Sequence, residues 1–131
     1  MKFLLDTNAV ITLLRGTPHF LARVKIHRPA DFGLPPIVAH ELYYGACRGR
    51  RQAENLARVD ALQFEVVEFD REDARHAGAL RAHMAAAGSP IGPYDVLIAG
   101  QALARDLTVI THNTREFQRA PGLQLEDWDA T

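Results

Sequence analysis

The feature that most constrains the fold is a pair of short apolar runs, each stopping on polar residues. Phe3, Leu4 and Leu5 end on Asp6, and residues 107–111 (LTVIT) end on His112 and Asn113. Runs this short and this uniformly apolar read as strands buried on both faces, which occur in parallel sheets covered by helices. Between them, stretches with apolar residues three and four apart alternate with turn residues, so strands and helices follow one another. The alternation predicts an α/β fold of three layers, a central and mainly parallel β-sheet flanked by helices. Open sheets of that kind build their sites beyond the strands' carboxyl ends, where Asp6 and Asn113 stand. A lone acid after a strand is more often a turn or cap residue, so Asp6 gains meaning only from what joins it.

Taken in order, Thr7 and Asn8 are good N-cap types for a short helix over residues 9–14 that ends near Gly16. Thr17-Pro18 opens a second helix carrying Phe20, Leu21 and Val24, finished before Pro29. Residues 32–37 read as the second strand, irregular at its end because of Pro35 and Pro36. Residues 38–47 form a helix in which Val38, Leu42, Gly45 and Ala46 share a stripe, and Glu41 lies on that stripe, a poor place for an idle carboxylate. An amphipathic helix over 52–62 follows, then an alternating strand over 64–69 with Phe64, Val66 and Val67 inward. Asp70 caps the next helix, with Asp73 at its third position. Residues 88–93 (GSPIGP) make a loop, and Pro93 starts a helix whose inward face holds Asp95, Ile98, Ala99 and Ala102. Thr114 caps a final short helix over 115–119, Pro121-Gly122 turns the chain into residues 123–125, and the tail, 126–131, carries Trp128, expected to pack on the core.

Four polar positions therefore converge in prospect: Asp6 after the first strand, Glu41 on an inward helix face, Asp95 in a first helical turn, and Asn113 after LTVIT. Clustered carboxylates repel one another unless a cation or a proton intervenes. An oxygen-only set suits a hard divalent ion, Mg2+ or Mn2+, and such an ion activates water and clamps a phosphodiester. Thr111 adds a hydroxyl to orient a ligand or a bound water. Each group has a plainer reading. Asp95 suits the helix dipole, Asn113 suits a turn, and Glu41 suits an arginine partner. Only their combination argues for chemistry.

Other chemistries fail on particular residues. His40-Glu41 begins a zinc-protease HExxH, but Tyr44 stands where the second histidine belongs. GxGxxG and P-loop signatures are missing, and Asp6-Thr7-Asn8 has one acid where phosphoaspartyl phosphatases need two. With 131 residues, 47% of them hydrophobic, the chain fits one domain, 1–131, with enough apolar material for a core. A formal net charge of -1 excludes a general basic coat for nucleic acid, leaving Arg48, Arg50 and Arg51 as a local phosphate contact at most. Cys47 is the one cysteine, so an internal disulfide is excluded. No apolar run approaches the ~20 residues of a membrane span, and Met1-Lys2-Phe3 leads into strand material, so a cytoplasmic protein is expected.

LLDTN around Asp6, HELYYGA around Glu41, GPYDVLIAG around Asp95 and TVITHNTREF around Asn113 together resemble the PIN-domain ribonucleases, specifically VapC-type toxins of type II toxin–antitoxin modules. The likeness runs over nearly the whole chain, to the closing PGLQLEDW. It implies a PIN-like fold, RNA cleavage, and Asp6, Glu41 and Asp95 as the acids that hold Mg2+ or Mn2+, with Thr7 and Asn8 as polar support. Many PIN domains carry a fourth acid where Asn113 stands here, so one metal is expected, with Asn113 ligating weakly or positioning a water and Glu116, one turn on, compensating. The resemblance further implies a homodimer, a VapB-like antitoxin covering the acidic crevice, and a structured RNA such as tRNA as substrate. A non-catalytic PIN-like binding module and a metal-dependent DNA nuclease are the alternatives.

Overall fold

The computed structural model describes residues 1–129; the last two residues of the expected tail, Ala130 and Thr131, lie outside the described residues. Five short strands, β1 (Phe3–Leu5), β2 (Phe32–Leu34), β3 (Glu65–Val66), β4 (Thr108–Ile110) and β5 (Leu125–Glu126), form one sheet in the order β3-β2-β1-β4-β5. Every described pairing is parallel, with Phe3 opposite both Phe32 and Thr108, and Leu5 opposite Ile110. Among the described residues seven α-helices flank it: α1 (Thr7–Leu14), α2 (Pro18–Lys25), α3 (Pro36–Arg48), α4 (Gln52–Asp60), α5 (Arg71–Ala86), α6 (Pro93–Arg105) and α7 (Thr114–Phe117). The chain steps outward from β1 through β2 to β3, then crosses back to add β4 on the other side of β1. The reversal makes a switch point between the carboxyl ends of β1 and β4, the place where such sheets open a crevice.

Burial explains why β1 and β4 are legible as apolar runs. Leu4, Leu5, Val109 and Ile110 are fully buried, as expected for central parallel strands. The edge strands differ from expectation. Over residues 64–69 only Glu65 and Val66 pair, Val66 is exposed, and Val67 is the residue that enters the core, because β3 ends where the chain turns in toward α5. β2 stops at Leu34 rather than running to Ile37, since Pro35 and Pro36 lack the N–H a ladder needs and Pro36 instead serves as the first residue of α3. α4 ends at Asp60 rather than residue 62, and α7 covers Thr114–Phe117 with Asn113, not Thr114, in the N-cap position.

Trp128 is fully buried and ties the carboxyl-terminal segment to the sheet. Its ring stacks on His27 at 5.6 Å and meets Phe3 edge-on at 5.1 Å, Arg23 lies over it at 5.1 Å, and its Nε1 donates to Glu126 at 3.1 Å. On the other side of the fold α5 and α6 pack at backbone contact: a Cβ on Gly100 would fall 2.5 Å from the Cα of Ala77. A methyl group cannot be added there without separating the helices. Although alanine is the better helix former, Gly100→Ala is expected to destabilise the protein by about 1–3 kcal/mol. The check is the urea midpoint; an unchanged or raised midpoint would contradict the close packing.

Candidate active site

The site begins with Asp6. Its N–H donates to the Ile110 carbonyl at 3.2 Å, carrying the β1–β4 ladder one residue further, and its Oδ1 accepts from the Ala9 N–H at 2.8 Å. Asp6 is therefore itself the N-cap of α1, which begins at Thr7, so Thr7 and Asn8 are helical residues rather than caps. The buried Thr111 hydroxyl also bonds to the Asp6 carboxylate, and its oxygen accepts from the Asn113 N–H at 2.9 Å. That hydroxyl is thus committed to holding Asp6 in place. Burial raises the Asp6 carboxyl above its ordinary value; the bonds from Thr111 and Ala9 oppose the rise, and the charges of Asp129 and Glu41 add to it.

Glu41 comes from α3. Val38, Leu42 and Ala46 form the buried stripe, Gly45 is exposed, and Glu41 sits half-buried at the stripe's edge, turned toward α1. There its Oε1 accepts from the Thr7 hydroxyl at 2.8 Å, which fixes the carboxylate beside Asp6's helix. Asp95 is in the first turn of α6, with Ile98, Ala99 and Ala102 buried behind it as the spacing required.

The fourth acid is Glu116. Its Oε1 accepts from the Gly92 N–H at 2.6 Å, its Oε2 accepts from the Asn113 side-chain amide at 2.9 Å, and it shares a hydrogen bond with Asp95. Asn113 thus orients a carboxylate while itself lining the cleft. A Cβ on Gly92 would lie 3.2 Å from Glu116 Oε1 and 3.6 Å from Asp95 Oδ2, so a side chain there would crowd both acids. Burial, the hydrogen bond and charge of Glu116, and the charges of Asp6 and Glu41 push the Asp95 carboxyl up to about 7. Burial acts upward on Glu116 too, but the bonds from Asp95, Gly92 and Asn113 outweigh it and hold Glu116 below its ordinary value. The hydrogen bond between the two acids and the charges around them thus favour the protonated form of Asp95 over that of Glu116.

Asp6, Thr7, Asn8, Glu41, Asp95, Ile98 and Asn113 line a cleft of about 150 Å³ at the switch point. The basic cluster does not join it. Arg48 lies over the Tyr44 ring and Arg51 pairs with Glu54; Arg48 is seven residues beyond Glu41, ~10 Å along the helix. Two contributors escaped the reading of the sequence. Gly92 had no role beyond its loop, although a glycine directly before a helix-starting proline leaves one N–H for an anion. Asp129, which bears electrostatically on Asp6, is brought near by the Trp128 anchor, and no local motif announces it. The candidate ligand atoms are all oxygens from four separate elements, burial and neighbouring acids raise one carboxyl to about 7, and backbone and hydroxyl donors orient the rest. That set fits a hard divalent cation.

A model of the PIN domain matches residues 3–123. The chain belongs to the PIN-domain family. Relatives of this PIN domain carry VapC names: it is 40% identical to the tRNA(fMet)-specific endonuclease VapC of Salmonella typhimurium and 36% identical to that of Shigella flexneri, each over 98% of both chains. It is 30% identical to Ribonuclease VapC2 of Rickettsia felis over 98% of this chain and 99% of the relative. Solved structures agree. The DNA-bound VapBC of Salmonella typhimurium superposes with a TM-score of 0.92 at 40% identity over 98% of each chain, and VapBC-1 of nontypeable Haemophilus influenzae with 0.88 at 29% over 98% and 99%.

The raised Asp95 has a measurable consequence in the metal-free protein. Between the ordinary carboxylate range and about pH 7 the folded PIN domain binds a proton that the unfolded chain does not, so this group's contribution to stability falls as pH rises through that window. Carboxyl carbon NMR is expected to show Asp95 titrating near neutrality, and Asp95→Asn is expected to flatten the decline in melting temperature over the same range. A titration midpoint near 4 would contradict the raised Asp95 carboxyl.

Proposed function

We propose that this PIN domain is a divalent-metal-dependent endoribonuclease, the toxin of a toxin–antitoxin module, and that Asp6, Glu41, Asp95 and Glu116 hold one Mg2+ or Mn2+. The observation that carries the reading is the convergence of four carboxyl groups at the β1–β4 switch point with Asp95 pushed up to about 7. When bound, the ion supplies a water activated as nucleophile and a counter-charge for the phosphodiester in the transition state. The chain's own residues do the positioning. The α1 cap and Thr111 aim Asp6, Thr7 aims Glu41, and Gly92 and Asn113 aim Glu116, so each carboxylate has its own support. Asn8, exposed at the rim, is free to meet the substrate.

Relatives named tRNA(fMet)-specific endonucleases support tRNA as the substrate class, and the VapBC complexes support a VapB-like antitoxin over the acidic crevice of a homodimer. No described helix is long and apolar enough to cross a membrane, and the single cysteine suits a reducing cytoplasm. The test offers tRNA, total RNA and DNA side by side, with Mg2+ and with a chelator. Mg2+-dependent RNA cleavage is expected. Asp6→Asn is expected to abolish it with the fold intact, since asparagine still caps α1. Asn113→Ala, which removes a support and not a ligand, is expected to lose ~10- to 100-fold. An active, folded Asp6→Asn protein would overturn the assignment; cleavage of DNA in preference to RNA would reassign the substrate.

A further inference from the structure

An acidic centre in a chain of net charge -1 repels the phosphates it must approach, so a cation has to stand beside it. Next to the acidic cleft lies a second one of about 380 Å³, lined by Asn8, Thr12, Arg15, His112, Asn113 and Asp129. Asn8 and Asn113 line both clefts, so the two are continuous. Arg15 follows α1 directly and Asp6 precedes it, which sets Arg15 about 13.5 Å from Asp6 along the helix axis. That is within reach of a nucleotide or two on one side of a phosphate at the acids.

The charges lining this second cleft are unequal in their freedom. His112 bonds to Asp127 at 3.1 Å and lies 3.9 Å from Asp129, so the acid at the rim has a neighbour to pair with. Arg15 is exposed and makes no ion pair or side-chain hydrogen bond among the described residues. Arg58, the nearby arginine beyond α1, is already donating to the Leu14 carbonyl. Asn8, Thr12 and Asn113 add neutral donors and acceptors of the kind that meet sugar and base edges.

We propose that this cleft is the RNA-strand subsite flanking the scissile phosphate, and that Arg15 binds a phosphate there. The proposal rests on the nuclease reading above and goes beyond it by naming the path of the strand and the residue that holds it. A lone arginine at the end of a helix has a plainer use, as a partner for the helix dipole, and that use changes melting temperature but not the salt dependence of RNA binding.

The two roles are separated in the Asp6→Asn protein, which retains the cap and does not consume the RNA. Binding of a tRNA is measured by fluorescence anisotropy over a range of salt, with Arg15→Ala and Arg15→Lys added. Arg15→Ala is expected to weaken binding about tenfold at low salt and to reduce the slope of log affinity against log salt by about 0.7 to 0.9, the share of one phosphate contact. Arg15→Lys is expected to keep the slope. An Arg15→Ala protein with unchanged affinity and slope overturns the proposal while RNA cleavage by the unsubstituted chain leaves the nuclease reading standing. If the unsubstituted chain neither cleaves nor binds RNA, both are overturned. Arg15 and Ile11 also line an apolar groove between α1, α3 and α4. Loss of antitoxin binding in Arg15→Ala with RNA affinity unchanged would assign the residue to a protein partner and overturn the proposal.

Discussion

Mutual repulsion among carboxylates at one end of a parallel sheet is the constraint on which the rest of this structure depends. Asp6, Glu41 and Asp95 come from the end of β1, from α3 and from the first turn of α6, Glu116 of α7 is hydrogen-bonded to Asp95, and among the described residues nothing basic lines the cleft of the first three. The repulsion, with burial, pushes the Asp95 carboxyl up to about 7, which favours a proton there and a hydrogen bond to Glu116. A fold that only needed stability would have no use for such a group.

The sheet supplies what opposes the repulsion. Leu4, Leu5, Val109 and Ile110 are fully buried, so the ends of β1 and β4 are fixed relative to one another before any acid is considered. Asp6 then serves two purposes. One carboxylate oxygen closes the first turn of α1 through Ala9, which pins its direction, and the group still lines the cleft. The helix N-terminus also favours the negative charge that burial disfavours. At the other side of the crevice, Gly92 and Asn113 perform the same service for Glu116. Support is thus local to each acid, while the proximity of the acids is a property of the strand order.

Much of this was legible in the sequence because it is local. The central strands announced themselves as apolar runs, the stripe behind Asp95 had helical spacing, and Trp128 was expected in the core, where it lies. What was not legible depended on tertiary placement. Val66 faces outward while Val67 enters the core, because β3 is an edge strand only two residues long, a fact invisible to an alternating pattern. Thr7 and Asn8 had the chemistry of caps, but the strand runs directly into the helix and leaves that position to Asp6. Glu116 was named beside Asn113 as a neighbour one turn on, but its hydrogen bond to a loop 24 residues away in sequence was not legible. Arg48, Arg50 and Arg51 formed the visible basic cluster, while the arginine beside the acids is Arg15, solitary in the sequence.

The account stands on the acids exchanging a proton for a cation. Calorimetric titration of the protein with Mn2+ in buffers of different ionisation enthalpy counts the protons released per ion bound. With Asp95 at about 7 in the free protein, release is expected to be close to one proton per ion at about pH 6 and to vanish by about pH 8.5. Binding with no proton release at the lower pH, or no binding of the ion at all, would contradict the account.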